Sequence, residues 1–128
     1  MIRNRAGFTL IELLIVVVII GIIASIAIPK FSSVKQKGYR SQAIADLTSL
    51  RTAEEAFFTD SNRYGTLVEV ANKFSSTTGV GIPTITPNRG YWSATLLHPQ
   101  IPGMLCGIAV ATVNPVEPAA GEGEPICK

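Results

Sequence analysis

The sequence predicts an α+β protein in which one long N-terminal α-helix packs on a small antiparallel β-sheet head. Three observations lead to this prediction. An apolar run covers residues 8–28, an amphipathic stretch follows it to about Thr59, and two segments rich in β-forming residues lie near the C-terminus. The chain has 128 residues, 47% of them hydrophobic and 16% charged, which suits a membrane-type segment and one small domain.

The apolar run contains a single charged residue, Glu12, in 21 positions. A helix of that length measures about 31 Å, close to the thickness of one hydrocarbon core. The short polar segment before it carries Arg3 and Arg5, which we expect to hold the N-terminus in the cytoplasm. Basic residues beyond the other end count against this orientation: Lys30, Lys35, Lys37 and Arg40. They could contact anionic lipid headgroups, meet acidic residues of neighbouring subunits, or form a solvated face.

The amphipathic stretch repeats apolar residues at spacings of four, three and seven, which defines one helical face: Ala43, Leu47, Leu50 and Phe57. Charged residues are expected mostly off that face: Asp46, Arg51, Glu54 and Glu55. We therefore predict one helix from Phe8 to about Thr59. The alternative is two helices broken near Pro29, which cannot donate a hydrogen bond to the carbonyl of Ser25.

The elements of the head are predicted from the C-terminal half of the sequence. Residues 59–89 are rich in turn-forming residues and are interpreted as a connection, with a short helix possible around Leu67–Phe74. Two strands are predicted, joined by a turn over residues 98–103: Tyr91–Leu97 and Met104–Val113. Residues 114–127 contain three prolines and two glycines and are predicted to be a loop.

Charge and residue types exclude several functions. The formal net charge of +2 equals the contribution of Arg3 and Arg5, because the other nine basic residues balance nine acidic ones. No general basic surface is therefore available, and no nucleic-acid partner is expected. His98 is the only histidine and is predicted to be a turn residue. The sequence offers no catalytic constellation, metal site or cofactor site, and Asp60-Ser61-Asn62 lacks the rest of a calcium loop.

The run Gly7-Phe8-Thr9-Leu10-Ile11-Glu12, continued by apolar residues to Pro29, resembles the N-terminal signature of type IV pilins and pseudopilins. The resemblance covers about 30 residues. It implies that a prepilin peptidase cuts after Gly7 and methylates the new amine of Phe8. It also implies three regions: a cleaved leader at 1–7, a transmembrane and filament-core half of the helix at 8–29, and a periplasmic or extracellular head at 30–128 with a C-terminal disulfide loop.

The resemblance implies roles for individual residues. Glu12 would pair with the Phe8 amine of an adjacent subunit during assembly, whereas the alternative is a carboxylate that the membrane interface merely tolerates. Gly21 and Pro29 weaken the helix and mark a bend or an unwound segment. Cys106 and Cys127 form an even pair in a chain with an export-type N-terminus, which predicts a disulfide, the alternative being two free thiols.

The function implied is the major subunit of a type IV pilus, a homopolymer that serves roles such as adhesion or twitching motility. Its partners would be the prepilin peptidase and the pilus assembly machinery. It would cross the inner membrane once, with its head in the periplasm, before joining an extracellular filament. A minor pilin and a type II secretion pseudopilin are alternatives, although major pseudopilins usually lack the cysteine pair. An electron-conducting filament is an alternative of another class, suggested by aromatic residues whose favoured role is packing: Phe31, Tyr39, Phe57, Phe58 and Tyr64.

Overall fold

The computed structural model describes residues 7–118 and 120–128. A long helix comes first, and a short helix and four strands follow: α1 (Leu10–Ser61), α2 (Leu67–Val70), β1 (Thr84–Pro87), β2 (Trp92–Leu97), β3 (Leu105–Val110) and β4 (Ile126–Cys127). The strands form one antiparallel sheet in the order β1-β2-β3-β4. The helix and the small antiparallel sheet on which it packs confirm the predicted α+β architecture.

The chain divides into two compact units, one ending at Lys35 and the other comprising Gln36–Lys128. In the first unit α1 is regular from Leu10 onward and includes Pro29. The alternative of two helices broken near Pro29 is therefore not observed. Proline removes one main-chain hydrogen bond, and the hydroxyl of Ser33 donates to the Lys30 carbonyl (2.9 Å) in the turn that follows.

In the second unit α1 presents the predicted apolar face to the core. Ala43, Leu47 and Leu50 are fully buried, and Phe57 packs half-buried at the edge of the cluster. The largest fully buried partners come from the connection and the sheet: Val70, Val80, Trp92, Leu96 and Ile108. Burial of apolar area on this face is what fixes the helix against the sheet.

Helix α1 ends two residues later than predicted, at Ser61. Asn62 has a φ of 59°, and its N–H donates to the Phe58 carbonyl (2.8 Å). Asparagine tolerates this left-handed conformation and commonly ends helices in this way.

The sheet contains two strands that the sequence did not predict. Strand β1 lies within the segment interpreted as a connection and pairs with β2, so that Thr84 faces Thr95 and Pro87 faces Trp92. Its proline is compatible with an edge strand. Strand β4 lies within the predicted C-terminal loop and pairs with β3. Strand β3 is shorter than predicted because Ala111, with a φ of 56°, turns the chain.

Candidate assembly site

The predicted cleavage and assembly residues lie at the start of α1. Gly7, Phe8 and Thr9 precede the helix, and the Phe8 side chain is 83% exposed. Arg3, Arg5 and the other leader residues before Gly7 lie outside the described residues. The peptide bond between Gly7 and Phe8 therefore lies in non-helical chain just before α1.

Glu12 lies in the first turn of α1 and forms a cap with Thr9. Its Oε2 accepts hydrogen bonds from the Thr9 N–H (2.8 Å) and the Thr9 hydroxyl (2.7 Å), and the Glu12 N–H donates to Thr9 Oγ1 (3.3 Å). This reciprocal arrangement is a capping box, which satisfies N–H groups that a helix start leaves free. The Thr-x-x-Glu spacing was available as a sequence signal and was overlooked.

The segment that follows is apolar and exposed. Helix α1 is long and apolar enough to cross a membrane, and the apolar window lies at its N-terminal end with no residue buried. Ile15, Val18 and Ile22 are typical, with about half of each side chain exposed. An apolar surface of this size requires lipid or other apolar helices around it. At Gly21 an added Cβ would meet no atom, so packing within the chain does not require glycine there.

The two cysteines occupy paired positions on neighbouring strands. Cys106 of β3 faces Cys127 of β4, both side chains are buried, and a disulfide joins them. The carbonyl oxygen of Cys127 also accepts a hydrogen bond from Arg40 Nη2 of α1 (2.5 Å). Leu105 and Lys128 exchange two main-chain hydrogen bonds. The C-terminus is thus held to both the sheet and the helix.

The loop between Ala111 and β4 is held by hydrogen bonds of a buried asparagine and of an arginine on α1. Asn114 is buried, and its Nδ2 donates to the Gly107 carbonyl (3.1 Å) while its Oδ1 accepts from the Val116 N–H (2.9 Å). Gly123 has a φ of 69°, and Arg51 Nη1 donates to its carbonyl (3.3 Å). An added Cβ at Gly123 would come within 2.6 Å of the Arg51 guanidinium. The loop predicted from its prolines and glycines is therefore well anchored.

We expect Cys127→Ser to lower the free energy of unfolding by roughly 3 kcal/mol, because the disulfide closes a loop spanning 21 positions. The measurement is denaturant unfolding of the full chain in detergent micelles, followed by the fluorescence of Trp92. The double variant Cys106→Ser/Cys127→Ser controls for a free thiol. If both variants unfold at the wild-type midpoint, the disulfide does not stabilise the head.

Two acidic side chains are buried, contrary to the prediction that they lie off the core face. Asp46 is 5% exposed, and its two oxygens accept hydrogen bonds from the Thr77 N–H (2.8 Å) and hydroxyl (2.6 Å). Glu54 is fully buried, and its Oε2 accepts a hydrogen bond from the Gly65 N–H (2.9 Å). Both residues lie three or four positions from buried apolar residues, which places them on the same helical face. They tie the connection between helix and sheet to α1.

The pKa of the Glu54 carboxyl is strongly perturbed. Burial raises its pKa to about 7, and the negative charges of Glu69 and Glu55 add to the increase, while the hydrogen bond from Gly65 opposes it. Its second oxygen, Oε1, has no hydrogen-bond partner among the described residues. Glu54 is therefore uncharged over part of the physiological pH range.

The aromatic residues divide between the two units. Phe58 and Tyr64 contact each other with ring centroids 4.7 Å apart, and Tyr64 lies 6.2 Å from Trp92. Tyr39 lies 5.0 Å from His98, which is buried at the start of the turn between β2 and β3. Phe31 of the first unit is 65% exposed. Within the head these contacts match the packing interpretation.

These features define a class of small α+β proteins that combine an exposed apolar N-terminal helix with a disulfide-closed head. Residues 2–28 match the protein family "Prokaryotic N-terminal methylation motif". The chain is 53% identical over 62 residues to the type IV major pilin protein PilA of Myxococcus xanthus, which is 48% of this chain and 28% of that protein. Its N-terminal half is therefore similar to that of proteins in the type IV pilin superfamily.

Most of the relatives are type II secretion system core proteins G. The chain is 39% identical over 64 residues to the type II secretion system core protein G of Aeromonas hydrophila, covering 50% of this chain and 45% of that protein. It is 29% identical over 117 residues to the core protein G of Escherichia coli, covering 91% and 77%. The chain spans less than half the length of the first relatives it matches.

Proposed function

We propose that this chain is the major subunit of a type IV pilus, a structural protein and not an enzyme. The observation that carries the proposal is the exposed apolar start of α1 with Glu12 in its first turn, joined to a head whose C-terminus is closed by a disulfide. The apolar surface suits a membrane before assembly and a core of packed helices afterwards. The relatives named as pilin and pseudopilins support a filament-forming role.

In this proposal the three predicted regions keep their roles. A prepilin peptidase removes residues 1–7 and methylates Phe8, residues 8–29 hold the subunit in the inner membrane, and residues 30–128 form the periplasmic head. The assembly machinery then transfers the subunit into an extracellular homopolymer. Glu12 pairs with the Phe8 amine of a neighbour, and Gly21 and Pro29 are the positions at which the helix bends or extends in the filament.

A type II secretion pseudopilin is the second candidate, because most of the relatives carry that name and one of them aligns over 91% of the chain. The buried disulfide between Cys106 and Cys127 favours the pilin. Disulfides persist in the periplasm as well as outside the cell, so what favours the pilin is that major pseudopilins usually lack this pair.

Filaments sheared from cells that produce this chain should contain it as the dominant protein, beginning at Phe8 and carrying one methyl group on that residue. The reason is that cleavage after Gly7 both removes the leader and creates the amine required for assembly. Intact-mass spectrometry of the sheared fraction measures both properties.

A strain lacking the gene separates the two candidates. Loss of surface filaments with normal secretion of exported enzymes supports the major pilin. Normal surface filaments together with a secretion defect would contradict it and support the pseudopilin. A sheared-filament species that retains residues 1–7 would contradict the proposed processing.

A further inference from the structure

Two lysines, Lys30 and Lys35, lie on α1 immediately beyond its apolar segment. Lys30 and Lys35 are both exposed, and neither forms an ion pair with any residue in 7–118 or 120–128. The Nζ of Lys35 lies 5.5 Å from the centre of the Phe31 ring, a contact that leaves its charge uncompensated. We call Lys30 and Lys35 the basic collar.

The surrounding sequence cannot neutralise this charge. No acidic residue occurs between Leu13 and Ala45. The next basic residues in the chain, Lys37 and Arg40, have the same sign, and Arg40 already donates to the carbonyl of Cys127. An uncompensated run of positive charge along a helix indicates that a negatively charged partner lies outside the chain.

The spacing of the collar fits a membrane surface. With the apolar segment across the hydrocarbon core, Lys30 and Lys35 lie about 3 Å and 10 Å beyond Ile28 along the helix axis. The headgroup layer on each side of a bilayer is roughly 5–7 Å thick, and lysine side chains extend along apolar surface to reach it. Phe31, which is 65% exposed beside Lys30, supplies an apolar ring at the same depth.

The angular positions also favour lipid over a docking protein. The two lysines are five positions apart in the sequence, so they lie about 140° apart around the helix. A protein partner that docks on one helical face would contact only one of them. A membrane surrounds the helix and can bind both at once.

We propose that the basic collar binds the headgroups of anionic phospholipids in the leaflet on the head side and so sets the depth of the subunit before it enters the filament. This proposal rests on the proposed function, because it requires residues 8–29 to span a membrane. Once the leader is cut, Arg3 and Arg5 are lost and the basic residues that flank the membrane segment all lie on the head side. This distribution opposes the rule that basic residues flank a membrane helix on its cytoplasmic side. Binding of anionic lipid on the head side offsets the unfavourable placement of the lysines.

The test is lipid selectivity of the full chain in phosphatidylcholine bilayers that contain a trace of spin-labelled phosphatidylglycerol or spin-labelled phosphatidylcholine. Electron paramagnetic resonance gives the fraction of each lipid that is immobilised at the protein. Two lysines near a surface correspond to up to about thirtyfold preference for the anionic lipid at low salt. We expect Lys30→Gln/Lys35→Gln to lower the wild-type preference by about threefold or more, and added NaCl to lower the wild-type preference similarly.

The matched control is Lys73→Gln/Arg89→Gln, which removes two exposed positive charges from the head and should leave the preference unchanged. Because Arg3 and Arg5 are present in every protein compared, the difference reports the collar alone. An unchanged preference in the collar variant overturns the proposal. An unchanged preference with fewer filaments in cells also overturns it, and assigns the lysines to acidic groups of another subunit. Failure of the wild-type chain to incorporate into the bilayer would overturn the membrane segment of the proposed function and the collar with it.

Discussion

Filament yield should fall by about tenfold or more when Glu12 is replaced by alanine, while membrane insertion and cleavage after Gly7 continue. A carboxylate near the end of a membrane helix can reach the interface, so the monomer tolerates it. In a core of packed apolar helices the carboxylate cannot reach water, so Glu12 must be paired or neutral. Loss of one partner of a buried ion pair costs about 3–5 kcal/mol, which exceeds a factor of ten in an equilibrium.

In the proposed filament the cation for this pair is the amine that cleavage creates at Phe8, because the arginines of the leader leave with it. The uncut chain has no such amine, and its Glu12 carboxylate binds Thr9 instead. We therefore expect processing to be a condition for assembly as well as for release. Glu12→Gln keeps the shape of the side chain without its charge and should also be impaired.

Thr9→Ala is the matched control for Glu12. It removes the hydroxyl that donates to Glu12 and accepts from the Glu12 N–H, but it keeps the carboxylate. If Glu12 acts by its charge, Thr9→Ala should assemble nearly as well as wild type. The measurement is the amount of subunit in membrane and sheared-filament fractions for each variant. Equal defects in Thr9→Ala and Glu12→Ala would assign Glu12 to helix capping. A normal filament yield from Glu12→Ala would show that assembly does not require the pair between Glu12 and the Phe8 amine.

The sequence predicted the parts of the fold whose signal is long and periodic. The apolar run and the repeat of Ala43, Leu47 and Leu50 each extend over several turns, so one helix satisfies both. The strands β1 and β4 were missed because four and two residues are too short to show an alternating pattern among prolines. Their existence depends on pairing with β2 and β3, which is a tertiary property.

Polar residues were the harder part of the candidate site. The spacing Thr-x-x-Glu occurs at Thr9 and again at Thr66, where Glu69 accepts hydrogen bonds from the Thr66 N–H (2.8 Å) and hydroxyl (3.0 Å). That signal was present in the sequence. The burial of Asp46 and Glu54 was less accessible, because their partners Thr77 and Gly65 come from the connection, whose path no local pattern determines.

The burial of Glu54 predicts a head that loses stability as the pH rises. The folded-state pKa of about 7 lies above the ordinary value of 4.5, so the folded protein binds more protons than the unfolded chain between these two pH values. The extra stability is fully present below pH 4.5 and is lost as the pH rises through 7. Above that pH the carboxylate is charged, and Gly65 is its one hydrogen-bond donor among the described residues.

Two neighbouring carboxylates raise the pKa of Glu54. Glu55 and Glu69 oppose its ionisation, while Tyr64, whose own pKa burial and the nearby carboxylates raise, donates its hydroxyl to Glu55 (3.3 Å). Among the described residues no positive charge counteracts this increase in pKa. Glu54→Gln can still accept the Gly65 hydrogen bond but cannot ionise, so it removes the pH-dependent term alone.

We expect Glu54→Gln to be more stable than wild type at pH 8 by roughly 1–3 kcal/mol and about equal to it at pH 5. The measurement is denaturant unfolding of the full chain in micelles from pH 5 to 8, followed by the fluorescence of Trp92, which is fully buried and is the only tryptophan. Every other titrating group is common to both proteins, so the difference between the two curves isolates Glu54. Glu55→Gln, at an exposed neighbouring carboxyl, is the control and should change the slope much less. Parallel stability curves for wild type and Glu54→Gln would show that Glu54 is charged throughout this range and that its burial carries no pH dependence.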